Sequence, residues 1–184
     1  MNTPSHWLIQ AGLAKRFKRI RRTAFLWGSV APDLPLYVLS LFGALYYLGR
    51  GMPLREALDY VWGTLFFESP FWVASHNLLH SPTMLLLLAG GWWLLRRSTS
   101  RDHPWFIWFI LGCALHTAVD IPTHHDDGPL LLFPFNWTLR FISPVSYWDP
   151  EHYGDIFAPL ELLLDGLLLA YLTTPWLRRR FGRS

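Results

Sequence analysis

Residues 105–128 read WFIWFILGCALHTAVDIPTHHDDG, an apolar run that ends on one histidine and one aspartate and then breaks into a His/Asp-rich stretch. The run predicts a helix terminated by Pro122, because a proline clashes with the preceding turn and cannot continue the ladder. His116 and Asp120 stand at i, i+4, which places both side chains on one helix face about one turn apart. An imidazole and a carboxylate at that separation can close on one divalent cation or on a metal pair. At membrane depth such groups are costly unless they are paired or metal-bound. The stretch therefore points to an all-α membrane protein with a polar, metal-binding centre.

Working outward, a second apolar segment runs from Phe71 to Leu95, with His76 and His80 again at i, i+4 and Pro82 just beyond them. The last segment, Ile156 to Leu177, carries Glu161 and Asp165 at the same spacing; the two either complete a metal site or begin a helix whose positive end favours carboxylates. Phe25 to Leu48 is interrupted by Ala31-Pro32-Asp33-Leu34-Pro35, so a clean apolar helix is expected from Pro35. Thr3 to Arg22 reads as an amphipathic helix, with Trp7, Leu8, Leu13 and Phe17 facing lipid or protein and the basic residues facing water. Val61 to Phe67 is a short aromatic stretch suited to the interface. The expected fold is one membrane domain over residues 1–184, an integral helical bundle of about four transmembrane helices plus the amphipathic helix. Residues 123–155 form a long polar and aromatic loop, too long for a mere connector and so a candidate functional loop.

Composition agrees. Of 184 residues, 52% are hydrophobic and 16% charged, with 11 Trp and 13 Phe, rings that favour a bilayer interface. The mean hydropathy of +0.20 is diluted by polar termini and the loop. A lone Cys113 excludes an intramolecular disulfide and a cysteine zinc site. Cations concentrate at Lys15–Arg22, at Arg96, Arg97 and Arg101, and at Arg178–Arg183. Clusters that flank apolar segments mark topology or anionic-lipid contact, so a nucleic-acid partner is set aside. Alternation with acidic loops predicts both termini in the cytoplasm and the His76/His80, His116/Asp120 and Glu161/Asp165 pairs at the outer ends of their helices. No cleavable signal peptide is expected from Met1 to Ala14.

His116 and Asp120 form the most specific signal, followed by His80 with Ser81 as support and His76 as ligand or neighbour. His124 to Asp127 add donors in the next turn. His152, beside Asp149, Glu151 and Asp155, and His103 are expected in solvated loops. No nucleophile elbow, P-loop or dinucleotide fingerprint is present.

Thr3-Pro4-Ser5-His6, Gly28-Ser29-Val30-Ala31-Pro32-Asp33, His80-Ser81, Gly112-x3-His116-x3-Asp120, Gly128 and Leu132-Phe133-Pro134-Phe135 together resemble the membrane-bound metal-dependent hydrolase family of bacterial inner membranes, some of whose members are described as LexA-binding. The chain is also similar, more distantly, to the all-helical zinc-dependent phospholipases C. The resemblance implies His6, Asp33, His80, His116 and Asp120 as metal ligands. Pro35 stands where the family has a second Asp, and His76-Asn77 replaces its His-Arg at a shorter spacing. The expected activity is zinc-type hydrolysis of an ester or phosphoester, with a lipid as substrate because the site opens near the bilayer. His124 or Asp126 would serve as general base or proton shuttle. The expected place is the bacterial inner membrane. A second reading is a non-catalytic scaffold or accessory subunit of a membrane protein complex, docked through the loop around Asn136 to Tyr153; its structural metal would be closed and fully ligated.

Overall fold

A computed structural model describes residues 1–99 and 104–181, and these are helical without a β-strand. His103, expected above in a solvated loop, and Arg101 and Arg183 of the basic clusters lie outside the described residues. Among the described residues nine α-helices follow one another: α1 (Thr3–Arg16), α2 (Arg22–Val30), α3 (Leu34–Gly49), α4 (Leu54–Asp59), α5 (Phe66–Glu68), α6 (Pro70–Asn77), α7 (Pro82–Thr99), α8 (Pro104–Asp120) and α9 (Gly154–Phe181). A π-helix, Tyr60–Leu65, joins α4 to α5.

The N-terminal helix is shorter than expected. It ends at Arg16, where Phe17 turns extended (φ −108°, ψ 101°), and Lys15 and Arg16 complement the negative end of the helix dipole. Its buried face is polar or small, with Ser5, His6, Gln10, Ala11, Gly12 and Ala14 turned inward, whereas Trp7 and Phe17 are exposed. Packing reads inside out relative to a water-soluble helix because the bundle's interior is where the polar groups meet.

α8 is the axis of the bundle. α2 crosses it so closely that the position of a Cβ on Gly28 lies 2.3 Å from the Phe109 carbonyl oxygen, and one on Gly112 lies 2.4 Å from that of Phe25. Only glycine on both helices permits that approach. α7 packs against α8 through Leu85, Ile110 and Cys113, and α1 lies against α2 and α9. Phe25 meets Trp108 edge-on at one end of the crossing, while the Ser29 carbonyl reaches His116 at the other. α1 accordingly carries the chain roughly 20 Å from Met1 at the polar centre to the basic residues that follow Lys15.

Four straight spans are not what the residues form. Gly154–Thr174 of α9 is long and apolar enough to cross a membrane, with a mean hydropathy of 1.7 and only 6% of its apolar stretch buried. α2 with α3 and α6 with α7 reach that length only as pairs bent by 41° and 58°, and α8 is shorter. The second bend corrects the reading of His76 and His80 as one helix face. α6 stops at Asn77, and Pro82 starts α7. A proline disfavours helical backbone at the residue before it, and the hydroxyl of that residue, Ser81, donates to the Phe133 carbonyl at 3.1 Å. His80 therefore lies in the break.

The loop from Thr123 folds back on the bundle. Leu130 and Phe133 pack with Val73 of α6, and the Leu130 N–H donates to Asn77 Oδ1 at 2.8 Å. One isolated bridge pairs Leu130 with Arg140, and a 3₁₀ turn at Pro150–His152 precedes α9.

Candidate metal centre

The C-terminal turn of α8 presents His116, which is fully buried, and Asp120, which is 3% exposed. His116 Nδ1 lies 2.8 Å from the Ser29 carbonyl oxygen, one of the acceptors that the end of α2 leaves without a helical partner. A carbonyl only accepts, so Nδ1 carries a proton and Nε2 is the nitrogen left to face a cation. That nitrogen sits 3.0 Å from Asp120 Oδ2 and 3.3 Å from Asp33 Oδ1, yet it forms no hydrogen bond.

A buried nitrogen facing two carboxylate oxygens needs positive charge among them, a second ring proton in the metal-free protein or a metal ion in its place. His80 Nε2, 2.8 Å from Asp120 Oδ2, joins the same group. One donor atom from each of Asp33, His80, His116 and Asp120 lies within 4.8 Å of the others. Tetrahedral zinc with ligands at about 2.0–2.1 Å needs donors spaced by about 3.3 Å; three of the spacings here are 2.8, 3.0 and 3.3 Å, and the rest lie within 4.8 Å. Two carboxylates balance a dication, and two neutral imidazoles complete a nitrogen and oxygen set suited to zinc. The four residues fit the ion.

Asp33 comes from the turn before α3, where Thr3 donates its hydroxyl to Asp33 Oδ2 and also meets the Tyr37 hydroxyl at 2.7 Å. The other oxygen of Asp120 faces a second set of nitrogens. His6 Nε2 and the amino group of Met1 lie 2.8 and 2.9 Å from Oδ1, and His124 Nε2 lies 3.4 Å away. The His6 ring stacks on that of His116 at 3.7 Å. Burial pushes the His6 imidazole below its ordinary pKa despite its bond to Asp120.

Each residue expected from the sequence can now be placed. Asp33, His80, His116 and Asp120 converge, and His6 joins them through Asp120. His76 does not enter the group. It is buried beside it, its ring 4.4 Å from that of His80 and its Nδ1 without a partner. Asp126 is exposed and lines the adjoining cavity but is not one of the ligand group. His124 is held instead by Asp127, whose Oδ1 lies 3.0 Å from Nδ1 and whose Oδ2 accepts from the Trp148 indole at 2.9 Å. Burial would lower the His124 pKa, but its bonds to Asp120 and Asp127 outweigh that and raise it. Burial likewise opposes ionisation of Asp127, and His124 reverses the effect.

Glu161 and Asp165 serve α1 and not the cluster. Glu161 accepts from the Asn2 backbone N–H at 2.8 Å, and Asp165 accepts from the Ser5 hydroxyl at 2.8 Å. His152 Nδ1 bonds Asp149 at 2.7 Å, and its ring stacks on that of His125, away from the cluster. Asp127, expected only as one donor of the His124–Asp127 run, and Thr3, expected only as part of the His6 motif, instead hold His124 and Asp33 in place. Asp127 sits three residues past His124, a spacing that suits a turn contact, and Thr3 opens the motif that includes His6.

A cavity of about 630 Å³ adjoins the cluster, walled by Leu36, Tyr37, Trp62, Phe66, Tyr147 and Trp148, with His80, Asp120 and His124 at its inner end. The site is thus open on one side, as a catalytic metal needs and a closed structural one does not.

A family model described as zinc dependent phospholipase C matches residues 5–177. No curated protein and no solved structure matches the chain.

Proposed function

Since this chain belongs to the zinc-dependent phospholipase C family, we propose that it is a membrane-embedded hydrolase that cleaves the phosphoester of a phospholipid at the Asp33/His80/His116/Asp120 centre. The observation that carries the reading is the pairing of that compact, charge-balanced ligand group with an aromatic cavity opening directly onto it. Zinc held by Asp33, His80, His116 and Asp120 would lower the pKa of a coordinated water toward neutrality and polarise a phosphoryl oxygen.

The chain's own residues do the rest. The Ser29 carbonyl fixes the His116 tautomer, and Thr3 orients Asp33. Asp127 holds the His124 ring and raises its basicity, leaving Nε2 directed to the cluster. His124 accepts a proton from the attacking water and returns it to the departing glycerol oxygen. The oxygen of water bonds to phosphorus while the bond from phosphorus to the glycerol oxygen breaks, which yields a diacylglycerol and a phosphorylated headgroup. Asp126, at the rim, meets solvent and headgroup and replaces neither. Tyr37, Trp62 and Phe66 exclude water and hold the apolar end of the lipid.

Placement follows from charge. The cluster from Lys15 to Arg22 and the stacked Arg97/Trp93 pair stand at the end of the bundle opposite the metal centre. We assign that end to the anionic cytoplasmic face of a bacterial inner membrane and the site to the outer face. Met1 then shares the outer side with the site, in place of the cytoplasmic amino terminus expected from charge counting.

The deciding experiment incubates zinc-loaded protein with long-chain phospholipid in mixed micelles and measures diacylglycerol together with phosphorylated headgroup. Both should appear in equal amounts and cease on chelation. Zinc-loaded protein that releases neither, against several headgroups, sinks the reading.

A further inference from the structure

From Pro129 to Trp148 the chain contains a single charged residue, Arg140. The root of this segment is fixed in the bundle. Leu130 and Phe133 are buried, and the Thr83 hydroxyl donates to the Leu131 carbonyl at 2.7 Å. Beyond the root the side chains turn outward and are large and apolar. Phe135 is 76% exposed and Ile142 60%, with Leu132, Trp137, Leu139 and Phe141 also exposed.

Several backbone groups of this finger are paired within it. The Leu131 N–H donates to the Leu139 carbonyl at 2.9 Å, and the Phe135 and Asn136 N–H groups donate to the Leu132 carbonyl at 2.8 and 3.0 Å. Asn136 Oδ1 accepts from the Thr138 and Leu139 N–H groups at 2.9 and 2.7 Å and from the Thr138 hydroxyl at 3.1 Å. The Trp137 indole donates to the Pro134 carbonyl at 2.9 Å. Arg140 is folded back, with Nε on the Gly128 carbonyl at 2.9 Å and the guanidinium over the Phe67 ring.

A loop that docks on protein or lies in water carries polar and charged side chains at its rim. This one carries one cation in 20 residues, and that cation is withdrawn toward the root. Large exposed Phe, Trp and Ile side chains, the near-absence of charge and a backbone partly paired within the segment favour a lipid leaflet. The root also forms part of the cavity wall, through Gly128, Pro129 and Trp148.

We propose that residues 129–148 form a finger that inserts into the lipid leaflet above the metal centre and sets the cavity mouth in the headgroup layer, where a bilayer phospholipid can enter. The role in substrate entry rests on the lipid-hydrolase reading given above; the insertion itself does not.

The test uses full-length protein in lipid nanodiscs. Phe135→Cys is labelled with an environment-sensitive fluorophore, while the native Cys113 is buried and out of reach of the label. A phospholipid with a nitroxide high on its acyl chain should quench the label at position 135, and aqueous iodide should not. A label introduced through Glu151→Cys, at an exposed charged position, should show the reverse. Iodide quenching at position 135 without lipid quenching overturns the proposal and favours a protein-docking loop. Phe135→Asp then reads the role: turnover of bilayer phospholipid should fall about tenfold or more, while turnover of a monomeric short-chain phospholipid in solution stays unchanged. An equal loss on both substrates overturns the entry role. A lipid-quenched label in protein that cleaves neither substrate leaves the insertion standing and refutes the hydrolase.

Discussion

Gly28→Ala should damage the metal centre without touching a ligand. The added methyl would lie 2.3 Å from the Phe109 carbonyl oxygen, 2.8 Å from the Cys113 nitrogen and 2.8 Å from Gly112 Cα, all backbone atoms of α8. A relaxed contact from carbon to oxygen is about 3.3 Å, so α2 and α8 must part by about 1 Å. Overpacking of this kind costs about 1–3 kcal/mol, and the upper end is expected here because no side chain can swing aside. For a chain of this size that is a fall in Tm of roughly 6–12 °C. The same displacement stretches the 2.8 Å contact between Ser29 and His116 beyond hydrogen-bond range. Losing such a partner weakens metal binding by about 10–100-fold.

Thermal unfolding and zinc competition against a chelator, on detergent-purified protein, measure the two effects separately. Gly91→Ala is the control, since its methyl meets nothing within 4 Å and should leave Tm unchanged or higher. Wild-type Tm and zinc affinity in Gly28→Ala would refute the reasoning; lowered Tm with intact affinity would show that Ser29 does not tune the site.

His116→Ala and Asp120→Ala should each abolish most bound zinc, whereas His152→Ala should retain it; full zinc in His116→Ala by metal analysis would mean that the site lies elsewhere. In zinc-free protein, His124 is held above its ordinary value of 6.5 by Asp120 and Asp127 against burial. Its stabilisation is therefore complete below that value and lost as pH rises through the folded value. The stability difference between wild type and His124→Gln, followed by denaturation across pH, should shrink on the alkaline side, and growth there would contradict the assignment. Asn77→Ala strips the buried Leu130 N–H of its acceptor, which costs about 1–3 kcal/mol; hydrogen exchange should quicken at Leu130 and Leu131 while α8 stays protected, and unchanged exchange would show that this bond does not pin the loop.

The helix that ends in His116 and Asp120 was readable in the sequence because everything it needs is local. A 3.6-residue period sets the shared face, and Pro122 sets the stop. Composition likewise carried the all-helical class, and motif resemblance carried Asp33 and His80. Spacing misled where a proline intervened, since His76 and His80 keep an i, i+4 interval across a broken helix and only His80 reaches the centre. It also left Glu161 and Asp165 ambiguous, because their partners, Asn2 and Ser5, come from the opposite end of the chain. What only the tertiary structure decided is the convergence itself. α2 and α8 approach backbone to backbone at Gly28 and Gly112, which brings the Ser29 carbonyl onto His116 and the turn at Asp33 into reach. Periodicity records which side chains share a face of one helix; how two helices cross depends on the side chains that are missing between them.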